Sequence, residues 1–237
     1  MENYKVVILS AGIGSRMKEF TKHFNKALIP LLGKPVICHI IEKIPKDVEI
    51  VIAGGYLKEN LFTYLKIAYP ERKFIFVNVD KYEGVGTGPG YSLLCCKNHL
   101  QCPFIYESAD TLFLEEIPEP NENWFGIAKV KDTSRFCSAK IDSTWKIIKI
   151  DDKIKTDNEH AFIGLGGVKD YNVFWDALST NKNLISGEFQ VSNGFSALIE
   201  RNMIGKIFSW FDVGTPESYN YALKNYPSGK AYRGENE

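Results

Sequence analysis

The sequence lacks any long hydrophobic run. None of its stretches approaches the roughly 18 consecutive apolar residues that a membrane-spanning helix needs. The segment Met1-Glu2-Asn3-Tyr4-Lys5 runs directly into an apolar strand pattern, without the basic start and long apolar core of a signal peptide. We therefore expect a soluble, cytoplasmic protein that has no membrane partner.

An excess of charge of either sign is also absent. Lysine and arginine together number 29, and aspartate and glutamate together also number 29. A balanced chain creates no overall field that would attract nucleic acid. We therefore expect no nucleic-acid partner, and any binding of an anion must depend on a local group of residues.

Metal-binding and disulfide patterns of cysteine and histidine are missing as well. The five cysteines form no Cys-x-x-Cys pair, their number is odd, and the four histidines show no His-Glu-x-x-His spacing. Buried thiols in a reducing compartment are the simplest interpretation. The cysteines are Cys38, Cys95, Cys96, Cys102 and Cys137.

What the sequence does contain is an alternation of strand and helix patterns that is typical of one α/β domain. Hydrophobic residues make up 44% of the chain, enough for a substantial core. Strands joined by helices over short connections favour a mixed, mainly parallel sheet covered on both faces, which is a three-layer α/β/α, Rossmann-like architecture. In the first half, we expect strands at 6–9, 48–53, 74–79 and 104–106, and helices at 35–43, 57–68 and after 86–90.

The second half has shorter strand patterns, which predict a small β-rich insertion. A polar tail at 226–237 follows the last helix, and we expect it to be a frayed end or a linker to a further domain. In this half, we expect strands at 124–130, 137–141, 145–150, 161–168 and 204–211, and helices at 171–178, 191–198 and 216–225, the last capped by Thr215.

The stretch that follows the first strand, residues 10–16, has the composition of an anion-binding loop; we call it the glycine loop. Small residues let backbone N–H groups converge on phosphate oxygens. Arg16 adds a planar fork and Lys26 adds a point charge, and both suit phosphate. A plain strand-to-helix turn is the alternative interpretation. The small residues are Ser10, Ala11, Gly12, Gly14 and Ser15.

Two well-known phosphate-binding loops are excluded by the spacing. The P-loop requires a glycine, then four residues of any type, then Gly-Lys-Ser/Thr. The glycine loop does not contain this pattern. The third glycine of the dinucleotide-binding fingerprint is replaced by Met17. The loop therefore belongs to neither class.

Two aspartates follow apolar runs and predict a metal site. Asp110 comes after the strand at 104–106, and Asp212 comes after the apolar run 208–211. Paired carboxylates beside a phosphate-binding loop are natural ligands of Mg²⁺. Each aspartate alone is equally typical of a helix cap or a loop. Their occurrence together with the glycine loop favours the metal site.

Four segments together resemble the signature of the sugar-phosphate nucleotidyltransferases, and the resemblance extends to about Leu223. Asn25 stands where that family usually has a proline before Lys26. In length and in its loop, the chain is similar to the choline-phosphate cytidylyltransferases of bacterial surface-glycan pathways. The segments are Leu9-Ser10-Ala11-Gly12-Ile13-Gly14-Ser15-Arg16, Lys26-Ala27-Leu28-Ile29-Pro30-Leu31, Ser108-Ala109-Asp110-Thr111 and Phe211-Asp212-Val213-Gly214-Thr215-Pro216-Glu217.

The resemblance implies a nucleotidyltransferase domain at 1–225. Its NTP-binding half would be 1–115, and its acceptor-binding half, which includes the β-rich insertion, would be 116–225. The glycine loop and Lys26 would hold the triphosphate. The nucleoside would lie near Gly86, Thr87 and Gly88.

The same resemblance implies the roles of the remaining site residues. Asp110 and Asp212 would hold Mg²⁺ and, with Arg16 and Lys26, form the catalytic group. Lys153 would hold the phosphate of the acceptor, and Gly164 and Glu188 would line the acceptor pocket.

The activity implied is transfer of an NMP group from an NTP to a phosphorylated small metabolite or sugar 1-phosphate, with release of pyrophosphate. CTP is the favoured NTP. Two other classes stay open: a GT-A-type glycosyltransferase, whose typical Asp-x-Asp motif is interrupted here by Leu112, and a non-catalytic nucleotide-binding subunit. A homo-oligomer, or a fusion to a further domain through the C-terminal tail, is also compatible with the sequence.

Overall fold

The structure, a computed structural model, describes residues 4–227, along which strands and helices alternate as the sequence predicts. The strands are β1 (Lys5–Ser10), β2 (Pro30–Leu31), β3 (Lys34–Pro35), β4 (Glu49–Gly54), β5 (Phe74–Asn78), β6 (Phe104–Ser108), β7 (Thr111–Leu112), β8 (Trp124–Lys129), β9 (Cys137–Ile141), β10 (Ile147–Asp152), β11 (His160–Val168), β12 (Leu184–Ile185), β13 (Glu188–Phe189), β14 (Ile204–Ile207) and β15 (Phe211–Asp212). The helices are α1 (Val36–Ile41), α2 (Lys58–Ala68), α3 (Pro89–Cys95), α4 (Tyr171–Thr180), α5 (Ser192–Phe195) and α6 (Pro216–Asn225). Turns of 3-10 helix lie at Ser15–Thr21, Lys26–Leu28, Lys97–His99 and Ser196–Arg201.

Nine of the described strands form a mixed central sheet. Its order is β10-β9-β11-β6-β1-β4-β5, with β8 paired to β11 and β14 paired to β8. β1 is parallel to both β4 and β6, and β4 is parallel to β5. The direction changes at β11, which is antiparallel to β6, β8 and β9. The α/β fold with a mixed, mainly parallel sheet that the sequence predicts is confirmed.

Two apolar layers cover the sheet, because successive side chains of a strand point to opposite faces. In β1, Val6 and Ile8 pack in the layer that contains α1 and α2, whereas Val7 and Leu9 pack in the layer that contains α3 and α4. Burying each large apolar side chain contributes about 1.5–3 kcal/mol. The carboxyl ends of β1 and its neighbours are therefore fixed by packing on both faces.

The prediction that the thiols are buried is wrong for three of the five cysteines. Within residues 4–227, no helix is long and apolar enough to cross a membrane. All five cysteines lie in this part of the chain and are free. Only Cys38 and Cys96 are buried, while the other three are partly exposed.

The last strand predicted from the sequence is too long. β14 ends at Ile207, and the chain leaves the sheet through Ser209, whose backbone N–H and hydroxyl donate to the Glu115 carboxylate at 2.7–2.9 Å. The next strand, β15, pairs antiparallel with β7 instead of continuing the central sheet. This change of direction places Asp212 near Asp110, which is the second residue after the end of β6.

The helix predicted at 191–198 is also shorter than expected. Only α5 is α-helical, and a 3-10 turn follows it. The Ser196 hydroxyl donates to the carbonyl oxygen of Ser192 at 2.7 Å, a local bond that competes with regular helix geometry. Tyr226, which the sequence assigns to the tail, is buried against His39 and Phe211. Residues 228–237 of the predicted tail lie outside the described residues.

Another local prediction is confirmed. Thr215 caps α6, because its hydroxyl oxygen accepts from the Ser218 N–H at 3.2 Å in a capping box. The turn between β9 and β10 is closed by the Asp142 side chain, which accepts from the Thr144 N–H at 2.7 Å. The start of α6 and the hairpin of β9 and β10 are therefore set by local sequence.

Asn25 ties the turn that carries Lys26 to the end of β1. Its side chain is fully buried and makes bonds in three directions. Nδ2 donates to the carbonyl oxygens of Ser10 at 2.9 Å and Tyr56 at 2.8 Å. Oδ1 accepts from the Ala27 N–H at 3.0 Å and from the Ser10 hydroxyl at 2.5 Å. The place of Lys26 beside the glycine loop depends on this side chain.

We predict that Asn25→Ala lowers the free energy of unfolding by about 1–3 kcal/mol, because it leaves buried backbone groups without partners. Urea unfolding followed by circular dichroism measures the change. Asn220→Ala, at an exposed position of α6, is the matched control and should stay within about 0.5 kcal/mol of the parent. Equal stability of the two variants would show that the Asn25 bonds are dispensable.

Glu107 is a carboxyl buried in the middle of the sheet. It lies between Ile8 of β1 and Leu165 of β11 and is fully inaccessible to solvent. Neither carboxyl oxygen has a hydrogen-bond partner among the described residues. Burial raises its pKa well above the ordinary value, the charge of Asp110 adds to this, and Lys43 only partly opposes it. The folded state therefore favours the protonated acid.

This shift predicts a pH dependence of stability. The folded pKa of Glu107 is raised, so its proton stabilises the fold fully below the unfolded pKa of about 4.5, and this contribution falls as pH rises towards the folded pKa. Glu107→Leu should raise the free energy of unfolding by about 1–3 kcal/mol at pH 8 and by less at pH 5. The measurement is chemical unfolding at both pH values.

The matched control for Glu107→Leu is Glu71→Leu, which changes an exposed glutamate. It should show no such difference between pH 5 and pH 8. A gain from Glu107→Leu that is the same at both pH values would contradict the assignment of the buried proton.

Candidate active site

A cavity of about 910 Å³ opens at the carboxyl ends of the adjacent parallel strands β1 and β6. Ligands of parallel α/β sheets bind at this edge. Most of the site residues predicted from the sequence line the cavity. They are Ala11, Gly12, Gly14, Ser15, Arg16, Lys26, Thr87, Gly88, Asp110, Lys153, Gly164, Glu188 and Asp212.

Two predicted residues, Ser10 and Gly86, do not line the cavity. Ser10 is fully buried, and its hydroxyl donates to Asn25, so it fixes the start of the glycine loop. The N–H of Gly86 donates to the carbonyl oxygen of Gly187 at 2.9 Å, in the turn between β12 and β13. In this structure, both residues hold neighbouring segments together.

The glycine loop presents open backbone to the cavity. A Cβ atom added at Gly12 would meet no atom within 4 Å, so the fold leaves space there. The loop then enters a 3-10 turn rather than a regular helix, with a kink at Lys18, whose φ is 52°. Open space beside several N–H groups suits the approach of an anion.

Two glycines allow chain segments to approach each other at the cavity. Gly14 has φ +70°, and a Cβ there would lie 2.9 Å from the Thr21 methyl carbon and 3.2 Å from Lys26 Cβ. Gly164 has φ +84°, and a Cβ there would lie 2.8 Å from the Ser108 hydroxyl oxygen. Only glycine fits both the conformation and the space at these positions.

Lys26 and Asp110 form an ion pair on the floor of the cavity. Lys26 Nζ donates to Asp110 Oδ2 at 2.9 Å, and the two side chains are 19% and 18% exposed. A pair this deeply placed is weakly screened by salt. The contact joins the glycine-loop side of the cavity to the end of β6.

Asp212 lies beside the same floor because β15 pairs with β7. The Val213 N–H donates to the Asp110 carbonyl oxygen at 2.9 Å, which extends this pairing. A Cβ added at Gly214 would lie 3.0 Å from Asp212 Oδ1, 3.4 Å from Arg16 Nη2 and 3.5 Å from Asp110 Oδ2. Two carboxylates and a guanidinium therefore surround one point at the cavity wall.

The two carboxylates have opposite pKa shifts. Burial alone would raise the pKa of Asp110, but the charge and hydrogen bond of Lys26, helped by Arg16, outweigh it and hold this pKa below its ordinary value. Burial raises the pKa of Asp212, and the negative charge of Asp110 raises it further. Asp110 is thus held as the anion, whereas the ionised form of Asp212 is disfavoured by burial and by the charge of Asp110.

The opposite side of the cavity has a second group of charges. Lys153 Nζ lies 3.0 Å from Glu188 Oε2, which also accepts from Gln190 Nε2 at 2.8 Å. Asp152 accepts from the Ser192 hydroxyl at 2.6 Å, and burial raises its pKa, with a further contribution from Glu188. These residues offer both a cation and carboxylates to a second ligand.

Several cavity-lining side chains were missed by the sequence analysis. Glu188 and Gln190 flank the buried Phe189, a polar-apolar-polar alternation that places both polar side chains on one side of a strand. That signal could have identified Gln190. Arg135 and Trp210 lie in irregular segments where no periodic pattern marks them.

Comparison with protein families gives a match to the first half of the chain. The MobA-like NTP transferase domain matches residues 6–116. This segment includes the glycine loop, Lys26 and Asp110. It ends before Asp212, which the chain brings back to Asp110 through β15.

Curated relatives match over most of this chain. The bifunctional protein GlmU of Methanococcus vannielii is 31% identical over 234 residues, which cover 92% of this chain and 55% of that protein. The choline-phosphate cytidylyltransferase of Streptococcus pneumoniae is 30% identical over 238 residues, which cover 97% of this chain and 95% of that protein. The chain thus spans about half the length of the GlmU relatives but nearly all of the cytidylyltransferase.

A solved structure shares the fold at lower identity. UDP-glucose pyrophosphorylase in complex with UDP-glucose superposes with a TM-score of 0.79 at 18% identity, over 94% of this chain and 98% of that chain. This likeness concerns the fold alone. The family is established by the match to the choline-phosphate cytidylyltransferase, at 30% identity over nearly its full length: the chain belongs to the sugar-phosphate nucleotidyltransferase family.

Proposed function

We propose that the protein is a Mg²⁺-dependent nucleotidyltransferase that moves an NMP group from an NTP, CTP by preference, to a phosphorylated small metabolite or sugar 1-phosphate. The observation that carries this proposal is the convergence of Arg16, Lys26, Asp110 and Asp212 on one wall of the cavity. Two cations and two carboxylates together suit a triphosphate with its metal ion, and a neutral ligand would not require them.

The reaction is a displacement at the α-phosphorus. An oxygen of the acceptor's phosphate forms a bond to this phosphorus, the bond from the phosphorus to the oxygen that bridges to the β-phosphate breaks, and pyrophosphate leaves with that oxygen. The attacking phosphate is already an anion at neutral pH, so no side chain has to remove a proton. The tasks left to the chain are alignment and charge neutralisation.

Each charged residue has a role that its position supports. The open backbone of the glycine loop receives the triphosphate, and Arg16 and Lys26 stabilise the charge that develops on the departing pyrophosphate. When the triphosphate binds, Lys26 gives up its hydrogen bond to Asp110 and donates to a phosphate oxygen instead. Lys153, on the opposite side of the cavity, binds the phosphate of the acceptor.

Asp110 and Asp212 fit Mg²⁺ as ligands. Within residues 4–227, no group of three or more His, Cys, Asp or Glu side chains could hold a metal ion. Mg²⁺ commonly takes one or two carboxylates and completes its shell with phosphate oxygens and water. Burial raises the pKa of Asp212, the like charge of Asp110 raises it further, and a bound cation would relieve this repulsion. When bound, the ion supplies positive charge to the phosphates.

The choice of CTP is supported by the relative that matches over nearly its full length, a choline-phosphate cytidylyltransferase. The acceptor side of the cavity supports a small polar acceptor. It holds Lys153 for a phosphate, and Asp152 and Glu188 for hydroxyl groups or an ammonium group. Phosphocholine and a sugar 1-phosphate are both acceptors of this kind.

We predict that Asp110→Asn and Asp212→Asn each reduce turnover about 10²-fold or more, because each removes charge that stabilises the transition state. Excess EDTA should abolish the activity of the wild-type protein. The measurement is pyrophosphate release, with thermal unfolding to confirm that each variant folds. Asp176→Asn, at an exposed position of α4, is the matched control. Full turnover in EDTA would contradict the metal site.

We also predict one clearly preferred NTP. A site that hydrogen-bonds one base rejects a mismatched base, since the mismatch leaves buried polar groups without partners. Pyrophosphate release is measured with CTP, UTP, GTP, ATP and dTTP, each with phosphocholine and with glucose 1-phosphate. CTP should be fastest. A faster rate with another NTP and both acceptors would overturn the cytidylyl preference alone, while no release with any pair would contradict nucleotidyl transfer to these acceptors.

A further inference from the structure

The hairpin of β12 and β13 connects the two sides of the cavity. Its strands pair through Leu184–Phe189 and Ile185–Glu188, and its turn residues Ser186 and Gly187 have φ values of 53° and 80°. Two-residue turns with positive φ close a hairpin tightly. The turn and Glu188 line the cavity, so this hairpin is part of the site and not merely a support.

One end of the hairpin is bonded to residues 84–88, which we call the nucleoside loop. The Gly86 N–H donates to the Gly187 carbonyl oxygen at 2.9 Å, and the Phe189 N–H donates to the Thr87 carbonyl oxygen at 2.6 Å. A Cβ added at Gly88 would lie 3.0 Å from Glu188 Cβ. With this spacing, the nucleoside loop cannot shift without moving the hairpin.

Another contact of the hairpin is the ion pair between Glu188 and Lys153. The two side chains are 48% and 31% exposed, and ion pairs this exposed contribute little to stability. Lys153 also adopts φ 54°, a strained conformation for a residue with a side chain, while its N–H donates to the Phe136 carbonyl oxygen at 2.9 Å. The strain and the weak pair point to a functional role of this position.

We propose that the hairpin couples the two substrate sites: NTP bound at the nucleoside loop moves the hairpin, and Glu188 then releases Lys153 to the phosphate of the acceptor. This inference rests on the proposed function, which places the nucleotide at that loop and the acceptor's phosphate at Lys153. In this coupling Glu188 is a positioning residue, since it acts through Lys153, in addition to the contact with the acceptor proposed above.

The direction of the coupling follows from the shared backbone groups. A ligand shifts an equilibrium only if it interacts differently with the two states. A nucleotide that bonds to the Thr87 carbonyl oxygen, or to the Gly86 N–H, competes with the hairpin for that group, so it favours the state in which the hairpin has moved. The exposed ion pair between Glu188 and Lys153 itself opposes this shift only weakly.

The test follows individual lysines by NMR after reductive methylation with ¹³C-formaldehyde, which keeps their charge. Lys153→Arg and Lys26→Arg identify the two signals of interest. Each of CTP, UTP, GTP, ATP and dTTP is added with Mg²⁺ and without an acceptor, so that no turnover occurs. The Lys26 signal reports that the nucleotide has bound, because Lys26 lies beside Asp110.

In the wild-type protein, we expect the same NTP to shift both the Lys26 and the Lys153 signals. In Glu188→Gln, the Lys153 signal should already stand at its NTP-bound position and should not move, while Lys26 still responds. Glu159→Gln breaks a similar exposed pair with Lys129, 3.1 Å long and away from the cavity, and should behave as wild type.

A response of Lys26 without a response of Lys153 would overturn the coupling and leave the proposed function intact. The coupling is overturned equally if Lys153 still responds to NTP in Glu188→Gln. If no NTP moves the Lys26 signal, the proposed position of the nucleotide site is contradicted, and so is the coupling that depends on it.

Discussion

The approach of the Asp110 and Asp212 carboxylates is the contact on which the rest of the site depends. Two negative charges near one point repel each other, and this repulsion adds to the effect of burial, which raises the pKa of Asp212. Lys26 and Arg16 offset it from the side of the glycine loop. The site is therefore arranged around a concentration of charge that a metal ion and a triphosphate would complete.

Backbone pairing, rather than side-chain attraction, brings these carboxylates together. β7 follows β6 closely in the chain, and β15 pairs with β7. The Val213 N–H extends that pairing to Asp110. On the other side, the buried Asn25 fixes the turn that carries Lys26. Because hydrogen bonds buried in this way are costly to break, the charges stay close despite their repulsion.

The parts of this arrangement that follow from short continuous patterns could be predicted from the sequence. The apolar run of β1, the small residues after it and the aspartate after β6 are each encoded within a few residues. The return of Asp212 could not be located in this way, because it depends on the contact of Ser209 with Glu115, which stands 94 residues earlier. The role of Asn25 was missed for the same reason, since its partners include Tyr56.

On the side of the cavity that holds Lys153 and Glu188, less of the structure could be predicted from sequence patterns. β12 and β13 have two residues each, too few for a periodic signal, yet their hairpin joins the nucleoside loop to Lys153. Gly164 and Glu188 were assigned to the acceptor pocket through resemblance, and both line the cavity. Which acceptor fits there depends on irregular segments that hold Arg135 and Trp210, where sequence alone gives no geometry.

The fate of the NTP's phosphates tests the central claim most directly. CTP labelled with ³²P at the α-position, and separately at the γ-position, is incubated with the protein, Mg²⁺ and a phosphorylated acceptor. Nucleotidyl transfer predicts that the α-label appears in a product that contains the acceptor and the γ-label in pyrophosphate. Recovery of the γ-label on the acceptor, or of the α-label as free CMP, would contradict the account.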